Sequence, residues 1–141
     1  DVSERKLELA KSLGATEAVN VRNKAALAGR KYDVVVDATG IPAVIEEAFG
    51  YLGKTAKYLQ FGVTPKDEHV RVNPFDLYNK DWTILGSMAI NYTFLNAFDW
   101  VREGRVLLEP LVSKVITLEE TPEFLATPKD PELLKVQIRI R

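Results

Sequence analysis

The stretch Tyr32-Asp33-Val34-Val35-Val36-Asp37-Ala38-Thr39-Gly40 decides the fold. Three consecutive β-branched residues form a compact apolar run, and Asp-Ala-Thr-Gly closes it, which is the pattern of a strand buried on both faces together with its exit turn. Pro42 then suits the first turn of a helix, and Ile45, Ala48, Phe49 and Leu52 recur at helical spacing, with Gly53 placed to supply a left-handed stop. Thr55 to Phe61 reads as the next strand, closed by Gly62, and Trp82 to Met88 as another. Between them Val63 to Asp81 carries Pro65, Pro74 and many charges, and reads as a long connection. Strands alternating with a helix imply an α/β fold with a parallel sheet. Such sheets bind ligands at the carboxyl ends of their strands. Those ends are Asp37 to Gly40, Phe61 to Val63 and Gly86 to Met88. One glycine at a strand end is ordinarily only a turn residue, but three successive strands ending this way point to a ligand edge.

Outward from this centre, Asp1 to Leu13 reads as a helix. Asp1 and Glu4 form a start resembling a capping box, Leu9, Ala10 and Leu13 share one face, and Gly14 ends it. Ala18 to Val21 has strand character, and Arg22 to Arg30 reads as a loop with a helical turn. Asn91 or Thr93 can cap a helix that buries Phe94, Phe98 and Val101, carries Trp100 on its flank as packing, and stops at Gly104. Leu111 to Leu118 and Leu134 to Ile140 read as strands, with a short helix around Glu120 to Ala126 and a Pro128/Pro131 loop between them.

Composition narrows the chemistry. The 141 residues, 46% hydrophobic, suffice for one domain with a core. Nineteen basic and 20 acidic residues are interspersed rather than blocked, which speaks against a nucleic-acid or polybasic membrane surface and for a small-molecule or protein partner. No apolar run is long enough for a bilayer span, and the charged residues from Asp1 to Lys11 do not read as a signal peptide, so a cytoplasmic protein is expected. With no cysteine and one histidine, His69, a zinc site made by this chain alone is not expected, and His69 reads as a solvated loop residue. Asp37 reads as the support of its own turn rather than as a catalytic acid.

The order Asp1-Val2-Ser3-Glu4-Arg5-Lys6-Leu7-Glu8-Leu9-Ala10-Lys11-Ser12-Leu13-Gly14-Ala15-Thr16 closely resembles the segment after the second strand in medium-chain zinc-type alcohol dehydrogenases. Asp33 to Gly40 resembles that family's fourth strand, Leu52 to Gly62 its fifth and Trp82 to Met88 its sixth. The likeness continues through Leu111-Val112-Ser113 and Leu118-Glu119-Glu120 into Lys135 to Ile138. Ala89-Ile90-Asn91-Tyr92-Thr93-Phe94 leans toward the sorbitol, xylitol and threonine dehydrogenase branch.

The resemblance implies an incomplete Rossmann-type parallel sheet, with residues 1–108 in a partial nucleotide-binding domain and 109–141 returning to the catalytic domain. It implies that Asp1 accepts hydrogen bonds from the adenosine ribose, which favours NAD because a 2′-phosphate would meet like charge. Lys6 falls near the same ribose, and Arg5 leaves room for NADP. Ala38, Thr39 and Gly40 would line the cofactor cleft, while Phe61-Gly62-Val63 and Gly86-Ser87-Met88 would offer backbone groups to the nicotinamide carboxamide. The parent would oxidise an alcohol or polyol with a zinc ion held elsewhere, and would form a homodimer through Trp82 to Met88.

The family's glycine-rich phosphate turn lies about twenty residues before the ribose acid, so the resemblance implies that this turn, the first strand and most of the second precede residue 1. The chain begins with Asp rather than Met, as a piece of a longer one would. The strand at Tyr32 would then expose an apolar edge. Two other readings compete: a zinc-free reductase of enones or quinones sharing the sheet, and a non-catalytic module that packs against a partner.

Overall fold

The computed structural model describes residues 1–140. The chain divides into two compact units, Asp1–Ala26 together with Tyr92–Arg141, and Leu27–Asn91.

The Leu27–Asn91 unit is built on a parallel three-stranded sheet. Strand β1 (Tyr32–Asp37) pairs with β2 (Leu52–Gln60), which pairs with β3 (Thr83–Gly86), and every pairing is parallel. The register sets Asp37 opposite Gln60 and Gln60 opposite Gly86, so the three strands finish on one line. Helix α2 (Pro42–Phe49) crosses over one face. It starts at proline, whose missing N–H is no loss in a first turn. Ile45, Ala48 and Phe49 of α2 then meet Leu52, Ala56, Tyr58 and Trp82 in the core, edged by Val35, Val70, Val72 and Leu77. The Phe49 ring lies 4.7 Å from Tyr58 and 6.4 Å from Trp82, centre to centre, and the Trp82 indole N–H donates to the Gly53 carbonyl at 2.7 Å.

Three expectations are corrected in this unit. β1 is packed on one face only: Val35 faces the core, while Val34 and Val36 are 60% and 51% exposed, because α2 is the layer that this unit supplies. Gly53 does not stop α2. The helix ends at Gly50 with right-handed backbone, Gly53 is already in β2, and the left-handed residue is Thr55 (φ 58°), where β2 makes an irregularity against β1. The connection from Val63 to Asp81 contains a helix, α3 (Pro74–Asn79), capped by the Asn73 side chain, which accepts from the Phe75 amide at 3.0 Å.

The other unit opens with α1 (Glu4–Ser12). Its cap is Ser3, whose hydroxyl accepts from the Lys6 amide, rather than Asp1, and its buried residue is Leu7, while Leu13 is exposed. Gly14 does end the helix, at φ 103°. Ala18 to Val21 is not a strand. What remains of that pattern is one parallel-type bridge, in which the Asp1 amine donates to the Val19 carbonyl and the Val21 amide donates to the Asp1 carbonyl. One bridging residue is too little to make a ladder.

Helix α4 (Phe94–Arg102) stops at Gly104 (φ 70°). Contrary to expectation it buries none of its apolar residues: Phe94, Phe98, Trp100 and Val101 are all exposed. The helical period is present, but no described layer of its unit closes over that face. Strands β4 (Val112–Thr117) and β5 (Lys135–Arg139) pair in parallel around the short helix α5 (Thr121–Ala126), with Ile116 buried. Among the described residues, no helix is long and apolar enough to cross a membrane.

Candidate functional site

The line on which β1, β2 and β3 end is held by the side chain of Asp37. Its carboxylate is 3% exposed, and it is the one buried charged side chain among the described residues. Oδ1 accepts from the Thr39 amide at 3.2 Å and the Thr39 hydroxyl at 2.6 Å, and Oδ2 accepts from the Gly40 amide at 2.8 Å. This is the local turn that aspartate favours, with the side chain bonding the backbone two and three residues on.

The clasp also reaches the next strand. Gln60 donates from Nε2 to Asp37 Oδ2 at 2.9 Å and to the Gly62 carbonyl at 2.8 Å, and its Oε1 accepts from the Tyr58 hydroxyl at 2.6 Å. The Asp37 carbonyl accepts from the Phe61 and Gly62 amides at 3.0 and 2.7 Å. The third strand end joins through the Ser87 hydroxyl, which donates to the Gln60 carbonyl at 2.9 Å.

Two glycines let these turns meet backbone to backbone. A Cβ added at Gly40, where φ is 67°, would lie 2.2 Å from the Val63 carbonyl oxygen, and one added at Gly62 would lie 2.3 Å from the Gly40 nitrogen. Neither neighbour is a flexible side chain that could move aside, so both positions require glycine.

The electrostatics follow from burial and bonding. Burial pushes the Asp37 carboxyl up, but the bonds from the Thr39 hydroxyl, the Gly40 and Thr39 amides and Gln60 outweigh it and hold the group below its usual 3.8. Burial, with the negative charge of Asp37 behind it, pushes the Tyr58 phenol up to about 12. An ionised carboxylate with its lone pairs taken by donors is no general acid or base. What it provides is a buried support beneath a rim of exposed Ala38, Thr39, Phe61, Val63, Ser87 and Met88. The structure therefore brings together nine of the anticipated residues: Ala38, Thr39, Gly40, Phe61, Gly62, Val63, Gly86, Ser87 and Met88. Asp37 supports its turn as its sequence suggests, whereas the roles of Gln60 and Tyr58 went unanticipated. A glutamine ending one strand, with an aspartate ending the strand before it, was the available signal.

Asp1 and Lys6 lie in the other unit. Asp1 Oδ1 accepts from the Val2 and Ser3 amides at 2.7 and 2.9 Å, which holds the carboxylate where the extended chain enters α1. Lys6 is turned to the carbonyl of Pro131, at 2.7 Å from Nζ. Arg5 is held by Glu132: Nη2 donates to the Glu132 carbonyl at 2.5 Å, and Nε lies 3.6 Å from Oε2. The Ser3 hydroxyl donates to the same Oε2 at 2.5 Å. Nothing in the sequence pattern marked Glu132.

His69 is an exposed loop residue whose Nδ1 lies 3.1 Å from the Asp67 carbonyl. Among the described residues there is no group of three or more histidine and acidic side chains placed to hold a metal. An apolar hollow of about 460 Å³ on β4 and β5, lined by Leu108, Leu111, Val112 and Leu134 with Lys135 and Gln137, has no constellation of reactive groups.

Comparison with known proteins agrees with this geometry. A family model described as zinc-binding dehydrogenase matches residues 1–103. D-altritol 5-dehydrogenase of Agrobacterium fabrum is 30% identical over 138 residues, which cover 97% of this chain and 41% of that protein. The structure of L-idonate 5-dehydrogenase from Escherichia coli superimposes with a TM-score of 0.82 at 26% identity, over 98% of this chain and 41% of that one. That of a zinc-binding dehydrogenase from Sinorhizobium meliloti, bound to NADP, superimposes with a TM-score of 0.89 at 24% identity, over 98% and 43%. The chain thus spans about two fifths of the length of the relatives it matches.

Proposed function

This chain belongs to the zinc-binding dehydrogenase family, and from that premise we propose that the polypeptide carrying it transfers hydride between an alcohol or polyol and a nicotinamide nucleotide. The observation that carries the proposal is the common line on which three parallel strands end, clasped by Asp37 and Gln60 and open to solvent at its rim. Open α/β sheets bind nucleotides at that edge. Relatives named as altritol, idonate and sorbitol dehydrogenases favour a polyhydroxylated substrate.

In this reading residues 1–108 belong to the nucleotide-binding domain and 109–141 to the catalytic domain. Asp1 receives the adenosine ribose hydroxyls, with Lys6 nearby. Ala38, Thr39 and Gly40 line the cleft, and the backbones of Phe61-Gly62-Val63 and Gly86-Ser87-Met88 meet the nicotinamide carboxamide. The close backbone approach at Gly40 and Gly62 joins the first two strand ends into one edge, which supports their meeting a single ligand. When bound, the nicotinamide supplies the hydride acceptor. The chain's part is to position it.

The residues present do not fit a catalytic zinc ion: there is no cysteine and only one histidine, so any zinc ligands come from outside these residues. β3 is an outer strand of its sheet, which supports a homodimer through Trp82 to Met88. Because the Trp82 side chain is buried in its own core, Thr83 to Gly86 would carry the pairing. A cytoplasmic setting fits the same reading.

The test is to express the longest polypeptide that the gene encodes around this segment and follow nicotinamide reduction with a panel of tetritols, pentitols and hexitols. Reduction by at least one, abolished by chelation, is expected. No turnover with any alcohol in either nucleotide would refute the proposal.

A further inference from the structure

We infer that Glu132 is a specificity-determining residue that biases the adenosine end of the nucleotide site toward NAD and against NADP. The inference rests on the ribose reading of Asp1 given above and adds a residue from the far end of the chain.

Three groups in the first turns of α1 could take the oxygens of a 2′-phosphate: the Ser3 hydroxyl, the Arg5 guanidinium and the Lys6 ammonium. A guanidinium fork is the usual recogniser of such a phosphate. All three are turned to the same two residues. Ser3 donates to Glu132 Oε2 at 2.5 Å, Arg5 bonds the Glu132 carbonyl and faces its carboxylate, and Lys6 donates to the Pro131 carbonyl at 2.7 Å. Glu132 is itself presented by a built turn. Its amide donates to Asp130 Oδ1 at 2.9 Å, the Leu133 amide donates to the Asp130 carbonyl at 3.1 Å, and the Leu134 amide donates to Ser113 Oγ at 2.9 Å.

A 2′-phosphate arriving beside Asp1 would meet a second carboxylate at Glu132 and would have to displace it to reach Arg5. Ribose hydroxyls need only the acceptor that Asp1 offers. The described hydrogen bonds of the Asp1 carboxylate run through Oδ1, which leaves Oδ2 to accept. The Arg5–Glu132 pair is more than 40% exposed on both side chains, and exposed pairs contribute little to stability. Its consequence is therefore better sought in binding than in folding.

The experiment uses the longest polypeptide encoded around this segment and measures kcat/KM with NAD and with NADP, together with the affinity of 2′,5′-ADP as an equilibrium probe. The unaltered protein should prefer NAD. Glu132→Gln should raise the NADP-to-NAD ratio and the affinity for 2′,5′-ADP by roughly tenfold, the scale of one new charge-assisted hydrogen bond to phosphate. Arg5→Ala added to Glu132→Gln should remove that increase, because the guanidinium, no longer facing a carboxylate, is its source. An unchanged ratio in Glu132→Gln, an increase that survives Arg5→Ala, or an unaltered protein that prefers NADP each overturns the inference and leaves the dehydrogenase reading standing. If the unaltered protein binds neither nucleotide, the ribose reading falls and the inference falls with it.

Discussion

Four glycines of the Leu27–Asn91 unit form a two-by-two test of how the strand-end clasp is built. Gly86 has ordinary backbone and nothing within 4 Å of an added Cβ, while Gly29 has the same open space but a φ of 72°. Gly62 has ordinary φ but a Cβ position 2.3 Å from the Gly40 nitrogen, and Gly40 combines a φ of 67° with a Cβ position 2.2 Å from the Val63 carbonyl oxygen. Left-handed backbone costs an alanine about 1–2 kcal/mol, and forcing a methyl into packed backbone costs about 1–3 kcal/mol. Alanine at Gly86 should therefore stay within about 0.5 kcal/mol of the parent. Gly29→Ala should lose about 1–2 kcal/mol and Gly62→Ala about 1–3 kcal/mol. Gly40→Ala should lose about 2–5 kcal/mol, the two effects together. For a unit of this size each kcal/mol moves the melting temperature by roughly 4–8 °C, so Gly40→Ala should melt at least about 8 °C below the parent in a thermal scan followed by circular dichroism. If Gly40→Ala melts with the parent, or if Gly86→Ala falls as far, the two strand-end turns do not meet as described.

Three further predictions concern the same site. Asp37→Asn should destabilise the unit by about 2–4 kcal/mol, since it strips charge from a buried acceptor that several donors share, as urea unfolding would measure. The folded Asp37 carboxyl lies below its usual 3.8, so its contribution is complete above that value and disappears as pH falls through the folded value. The acid limb of stability should accordingly flatten in Asp37→Asn, and an unchanged limb would contradict the clasp. Tyr58 has the opposite sign: with its phenol raised to about 12, its contribution is full below the ordinary value of 10.0 and is lost as pH rises through about 12, so ultraviolet titration should show a tyrosine step near 12 that Tyr58→Phe removes. Because residues 1–141 contain no glycine-rich phosphate fingerprint, calorimetry on the 141-residue chain alone should show NAD binding no tighter than about millimolar, the affinity left when pyrophosphate contacts are missing. Tight stoichiometric binding would refute that.

The centre of the fold was legible because local pattern and tertiary role coincide there. Val34 to Val36, the Asp-Ala-Thr-Gly exit and Pro42 each state a backbone preference that the parallel sheet then uses. Helix α3 is marked in the sequence only by Asn73-Pro74, a cap followed by a first-turn proline, because the charges and prolines around it read as loop. The stop at Gly53 failed because a glycine after a helical run is equally suited to a strand passing close to backbone, and the Tyr32 carbonyl lies 3.4 Å from where its Cβ would be.

Burial was overestimated in a consistent direction. Val34, Val36, Phe94 and Phe98 were expected inside and lie exposed. An apolar period records the surface a residue was selected to meet, whether or not residues 1–140 supply it, and this chain spans about two fifths of its relatives. Hydrogen bonding runs the other way. Asp37, Gln60 and Tyr58 satisfy one another within a single unit, and no buried side-chain nitrogen or oxygen among the described residues is left without a partner. The polar support of the strand ends is thus complete in itself while the apolar faces around it are not. The turns at the strand ends are held by Asp37 and meet at two glycines within one unit, and the unmet apolar faces take no part in that hydrogen-bonded support.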